Sequence, residues 1–291
     1  MSFQIGEAAL SHGPLRFVDT GHGPALLLLH GLGGNWQNWQ ANLAPLACHY
    51  RVIAPDLPGF GSSPAYPGAV TMARYADTIV ELLDTLGIEQ ATFVGNSMGG
   101  LLSIEAALRH PDRVRAVMLA CSGGIPLTTL RHRAVLRPGA LALNTMLRPG
   151  RIRRTALARC GIRHTIAARI VHQPHHIDAR YLIEALDGIG ARAFGPVLRA
   201  ALTYDARPYA PQLNCPTLIV WGRHDRLLPL WMGQQLHHLI QDSEFVVWDD
   251  AGHCPMIEHP TRFNELVDNF TRRHVGGSFG RSDSEAPPSG G

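Results

Sequence analysis

Residues Ala91 to Leu101 read ATFVGNSMGGL: an apolar run ends at a serine flanked by glycines, and an apolar helical pattern begins at once. In such a strand, turn and helix elbow, Ser97 takes a cramped backbone conformation, which Gly95 and Gly99 allow because they carry no side chain. The hydroxyl then stands clear of the sheet. The first turn of the following helix has free N–H groups, so the Met98 amide is available to a developing oxyanion. A G-x-S-x-G pentapeptide also occurs in ordinary turns, so the rest of the chain must supply the context.

Working outward, the neighbouring segments alternate between short apolar runs and helical periodicity. Upstream, Phe3 to Phe17 reads as two short strands joined by a turn at His12-Gly13-Pro14, and Ala25 to Leu29 (ALLLL) has the length and composition of a strand buried on both faces. That run ends in His30-Gly31-Leu32-Gly33-Gly34, a loop that can approach a ligand closely and in which Leu32 can offer a second oxyanion donor. A helix is expected over Trp36 to Ala47 and a strand over Tyr50 to Pro55. The turn-rich DLPGFGSS (56–63) follows, in which Asp56 suits a turn-capping role. Thr71 to Leu86 has apolar residues at helical spacing, with Thr71 as N-cap and Gly87 as terminator.

Downstream, the elbow helix runs to Pro111 and Val114 to Ala120 is another strand. From Gly123 the texture changes to arginine-rich helical patterns broken by prolines, which reads as an insertion. Strands and helices resume at Thr217 to Trp221, Leu230 to Ile240, Phe245 to Trp248 and Pro260 to Phe270. This alternation predicts an α/β fold with a mostly parallel, doubly wound sheet and ligands at the carboxyl ends of its strands. Residues 276–291, rich in Gly, Ser and Pro, are expected to be a disordered tail.

Composition narrows the function classes. The 291 residues, 45% hydrophobic and 17% charged, suit one large domain with an insertion. Five widely spaced cysteines (Cys48, Cys121, Cys160, Cys215, Cys254) read as reduced, buried thiols. The start lacks a leader pattern, and no apolar run approaches the roughly 20 residues of a membrane span, so a soluble cytoplasmic protein is expected. Lysine is absent, and between Arg131 and Arg207 fourteen arginines face only Asp178, Glu184, Asp187 and Asp205. With no interleaved aromatics or binding motif, this basic segment reads as a solvated helical face and not as a nucleic-acid surface; contact with anionic lipid is a lesser alternative. A homo-oligomer is compatible with the sequence.

A serine hydroxyl is a weak nucleophile, so Ser97 needs an imidazole to take its proton and an acid to orient that imidazole. No carboxylate follows Val114 to Ala120, where Cys121-Ser122-Gly123-Gly124 stands; Gly222-Arg223-His224-Asp225 follows the next strand and offers Asp225. In isolation Asp225 also suits a loop ion pair with Arg223 or Arg226. The last strand leads through Asp249-Asp250-Ala251-Gly252 to His253, the expected base, and Asp249 and Asp250 are read as stabilising that loop. His172, His175, His176 and Asp178 are read as a polar loop and not a metal site, and no cofactor or metal is required.

The order Ser97, Asp225, His253, joined to HGLGG, DLPGFGSS and GNSMGG, resembles the α/β-hydrolase superfamily over about Phe3 to Phe270. The resemblance implies a core in two parts (1–124 and 208–275), a helical cap at 125–207, an oxyanion hole from the amides of Leu32 and Met98, and acyl transfer to water. A small or aliphatic carboxylic ester is the expected substrate, given the aliphatic Leu141, Leu143, Met146, Leu147, Ile166 and Ile170 of the cap, with Tyr181, Phe194, Tyr204 and Tyr209 as nearby aromatics. GNSMGG is also similar to the elbow of hydrolases that cleave carbon–carbon bonds in ring-fission diketones. Those enzymes typically carry tryptophan after the histidine, where this chain has Cys254. A hydrolase-like binding or signalling protein is the alternative from another class.

Overall fold

In the computed structural model, which describes residues 3–126, 139, 141–148 and 150–275, eight strands form one sheet in the order β1-β2-β4-β3-β5-β6-β7-β8. They are β1 (Ile5–Leu10), β2 (Gly13–Thr20), β3 (Ala25–Leu29), β4 (Arg51–Pro55), β5 (Ala91–Asn96), β6 (Val114–Ala120), β7 (Thr217–Gly222) and β8 (Glu244–Trp248). The β1–β2 hairpin and the β2–β4 pair are antiparallel, and every pair from β4 to β8 is parallel. Burial explains why the apolar runs were readable: every residue of β5 and β7 is buried, because helices cover both faces of the parallel part. The two faces have separate cores. Leu27, Leu29, Phe93, Val117 and Ile219 pack on one side, and Leu26, Leu28, Val94, Met118 and Val220 on the other.

The expected helix at Trp36 to Ala47 is split. Asn35 and Asn38 cap each other reciprocally, winding Trp36–Trp39 into a 3₁₀ turn before the α-helix Gln40–Leu46 begins. The helix Met72–Thr85 starts as expected, with the Thr71 hydroxyl accepting the Arg74 N–H at 3.2 Å. Between β6 and β7 lie the helices Gly150–Ala158, Cys160–Ala167, Ala179–Leu186 and Phe194–Thr203. The tail expected at 276–291 lies outside the described residues. The cysteine reading needs correction: all five are free, but Cys48 and Cys160 are exposed and Cys215 is only half-buried, leaving Cys121 and Cys254 buried. Among the described residues no helix is long and apolar enough to cross a membrane.

The elbow is set by close backbone approach. The helix Met98–Arg109 leaves β5 with only Ser97 between them, and Ser97 has φ 56° and ψ −114°, a conformation that costs a non-glycine residue of order 1–3 kcal/mol. Three backbone hydrogen bonds hold it there: the Ser97 N–H donates to Ala120 O (3.0 Å), and its carbonyl accepts from Leu101 (3.2 Å) and Gly123 (2.8 Å). A Cβ on Gly99 would lie 2.1 Å from Leu29 O, and one on Gly95 would lie 2.3 Å from the Gly99 carbonyl carbon. Both obstacles are backbone and cannot turn aside. Gly99→Val is therefore expected to lose roughly 3 kcal/mol or more of stability, read by urea unfolding; a change under about 0.5 kcal/mol would contradict this packing.

Candidate active site

Asp225 and His253 meet. Asp225, in the loop after β7, accepts the Nδ1 hydrogen of His253 on Oδ2 at 2.7 Å, and the side chains are 1% and 5% exposed. Its other oxygen accepts the N–H groups of Leu227 (2.8 Å) and Leu228 (2.9 Å), so the carboxylate cannot rotate freely. A carboxylate only accepts, which places the hydrogen on Nδ1 of His253 and leaves Nε2 with its lone pair. The competing roles for Asp225 are not realised. Arg223 pairs with Asp249 and Arg226 donates to Ala168 O, while Asp250 pairs with Arg262 and His259.

Asn96, the neighbour of Ser97, reaches the loop that carries His253. Asn96 donates from Nδ2 to the carbonyls of His253 (2.9 Å) and Ala120 (3.1 Å), and its Oδ1 faces the Cys254 thiol at 3.8 Å. One buried amide thus links β5, β6 and the loop that carries His253. Among the described residues Asp225 and His253 are paired, whereas the Ser97 hydroxyl makes no hydrogen bond. Catalytic hydrogen bonds often tighten only with substrate.

The HGLGG loop abuts the elbow. A Cβ on Gly31 would lie 3.1 Å from the Ser97 Cβ, and neither the Leu32 nor the Met98 amide is used in a loop or cap hydrogen bond among the described residues. The loop is supported by His30, which is fully buried. The Leu57 N–H donates to His30 Nε2 (3.0 Å), so Nδ1 carries the hydrogen and donates to Gly31 O (2.8 Å). Burial pulls this imidazole down to about 4, and it is neutral at physiological pH. Asp56 has the capping role read from sequence: its carboxylate accepts the N–H groups of Trp36 (2.9 Å) and Ser62 (2.7 Å).

The inserted segment rests on this loop. Asn35 and Asn38 donate to the carbonyls of Glu184 (3.3 Å) and Ala185 (3.0 Å), and the Phe194 ring lies 3.1 Å from a Cβ built on Gly33. Several aliphatic and aromatic residues named for the inserted segment have other partners or face solvent. Tyr181 donates to Asn38 O and Tyr204 to Glu105, while Met146 and Tyr209 are 59% and 53% exposed. Asp178 caps the helix Ala179–Leu186, and His172 stacks on His224 at 3.8 Å, so the histidine-rich stretch does not converge on one point.

Besides the contacts of Asn96, sequence reasoning missed the placement of two residues. Cys121, with φ 45°, is the first residue after β6; its sulfur accepts the Gly222 N–H, and it lies within 4.8 Å of ligand atoms of both Asp225 and His253. Burial, then the neighbouring Asp225 charge, push this thiol well above its usual range. Glu258, five residues past His253, accepts the N–H groups of Gly252 (2.8 Å) and His172 (2.6 Å). No local pattern announces either, since their partners are distant in sequence.

Comparison with known proteins concerns the family and the fold. A model of the alpha/beta hydrolase family matches residues 26–266. The 2-hydroxy-6-oxo-6-phenylhexa-2,4-dienoate hydrolase of Burkholderia cepacia is 30% identical over 285 residues, covering 91% of this chain and 94% of that protein. Among solved structures, the enol-lactonase from Burkholderia xenovorans LB400 superposes with a TM-score of 0.77 at 25% identity, covering 91% of this chain and 99% of the other. A thermophilic esterase from Thermogutta terrifontis does so with a TM-score of 0.74 at 27% identity, covering 93% and 99%.

Proposed function

The chain belongs to the alpha/beta hydrolase family and is a hydrolase, and we propose that it cleaves a small or aliphatic carboxylic ester through an acyl-enzyme on Ser97. The observation that carries this reading is the buried 2.7 Å bond between Asp225 and His253, which leaves Nε2 free to take a proton. In the proposed cycle His253 accepts the Ser97 proton as the hydroxyl attacks the carbonyl. The Leu32 and Met98 amides hold the oxyanion, and Asp225 stabilises the imidazolium. The same histidine returns its proton to the leaving alcohol and then activates the water that releases the acid. Residues 125–207 act as a cap over the acyl site, with Phe194 above Gly33 as part of its roof.

A second reading is carbon–carbon bond hydrolysis of a ring-fission diketone, favoured by the relative from Burkholderia cepacia named above. Against it, Cys254 stands where those enzymes are expected to carry tryptophan, and its thiol is buried beside Asn96. A turnover screen over p-nitrophenyl esters of increasing chain length, an enol-lactone and a ring-fission diketone tests the choice. The ester reading expects the short and medium esters to have the highest kcat/KM. Diketone turnover above that of every ester would replace it with the second reading.

A further inference from the structure

We propose that Glu258 is a positioning residue whose carboxylate clamps the cap to the loop that carries His253, so that cap seating and base placement depend on one ionised group. The inference rests on the reading of His253 as the base. Glu258 ends the short helix Pro255–Glu258, and each of its oxygens takes one N–H from a different part of the molecule: Oε1 from Gly252, next to the base, and Oε2 from His172 of the cap. The approach is close enough that a Cβ on Gly252 would lie 2.8 Å from the His172 nitrogen. The same stretch of cap also reaches the acid loop, where the His172 ring stacks on His224 and Ala168 O accepts from Arg226. Residues 168–172 therefore touch the chain on either side of Asp225 and immediately before His253.

Only the carboxylate form can accept both N–H groups in this geometry. Protonation puts a hydrogen on one oxygen, and that oxygen faces an N–H donor, so one of the two contacts is lost. Burial pushes the Glu258 carboxyl up to about 7, partly offset by the His172, Gly252 and Cys254 amides and by nearby His259. Both forms are then populated near neutral pH. The groups around it are consistent with that range. Its own helix contributes the buried Cys254, held neutral, and His259 follows directly. Asp250 and His253 lie on the base loop, and His224, Asp225 and Arg226 on the acid loop. From the cap comes His172, pulled below the usual histidine range by burial, His224 and Arg226 and so neutral near pH 7.

Turnover then depends on Glu258 being charged. Glu258→Gln keeps the shape but can accept only one N–H at any pH, so its kcat/KM is expected to lie about 10- to 100-fold below wild type at pH 8, with the gap narrowing as pH falls below about 7 and the wild-type carboxylate is protonated. Hydrogen exchange at the His172 and Gly252 amides, corrected for intrinsic rate, should be faster in the variant at pH 8 and faster in the wild type at pH 6 than at pH 8. A wild-type to variant ratio that is the same at pH 8 and pH 6, or a Glu258→Gln enzyme with the wild-type profile, overturns the proposal; if the variant does not fold, equal exchange at pH 6 and pH 8 in the wild type does so. The exchange measurement requires no turnover: unchanged protection at both amides removes the clamp itself, whereas retained activity in Ser97→Ala removes the catalytic reading and leaves the clamp standing.

Discussion

Replacing Ser97 by Ala is expected to lower kcat by roughly 10⁴- to 10⁶-fold, leaving the residual rate that bound substrate and two oxyanion donors can sustain. The fold should survive. The Ser97 hydroxyl makes no hydrogen bond among the described residues, and the strained φ of 56° is held by backbone contacts that alanine keeps. Loss of turnover with an unchanged far-ultraviolet spectrum and a melting temperature within a few degrees of wild type is the predicted combination. Near-normal turnover in this variant would remove Ser97 from the chemistry and with it the acyl-enzyme.

Asp225→Asn is expected to cost about 10⁴-fold in kcat with little change in KM, through the tautomer of His253 and not through its position. The Leu227 and Leu228 amides donate to one oxygen of this side chain, so they orient an asparagine with its own oxygen toward them. Its NH₂ group must then face Nδ1 of His253, which becomes an acceptor. The ring hydrogen moves to Nε2, the atom that has to take the serine proton. Asp249→Asn and Asp250→Asn provide the contrast. Asp249 pairs with the exposed Arg223, and Asp250 with the exposed Arg262 and the partly exposed His259, so each variant should leave kcat within about twofold of wild type. A large loss at Asp250 and none at Asp225 would transfer the orienting role.

Much of the site is legible in the sequence because two physical rules act locally. Strands buried on both faces, such as β3 and β5, are continuous apolar runs, and their loops follow at predictable places, so Asp225 and His253 could be found from topology among many other carboxylates and sixteen histidines. What stayed hidden depends on side chains that reach across the fold. The Asn96 amide bonds the His253 carbonyl 157 residues away, and Glu258 bonds the His172 amide 86 residues away. Neither leaves a periodic trace. Tyr181 and Tyr204, read only as nearby aromatics, anchor their hydroxyls on Asn38 and Glu105, partners that become neighbours only after folding. The exposed Cys48 and Cys160 were misread for a related reason. Apolar neighbours do not tell whether a side chain in a turn, as at Cys48, or at the first position of a helix, as at Cys160, faces solvent when the packing partner is unknown.

The most direct test of the central claim, that Ser97 is a nucleophile activated by His253 and Asp225, is labelling with a fluorophosphonate followed by mass spectrometry of the modified peptide. The account predicts one phosphonylated residue, Ser97, in the wild-type protein, with a labelling rate that falls at least about 10³-fold in Asp225→Asn. A wild-type protein that does not react, or that carries the label on another residue, would contradict it.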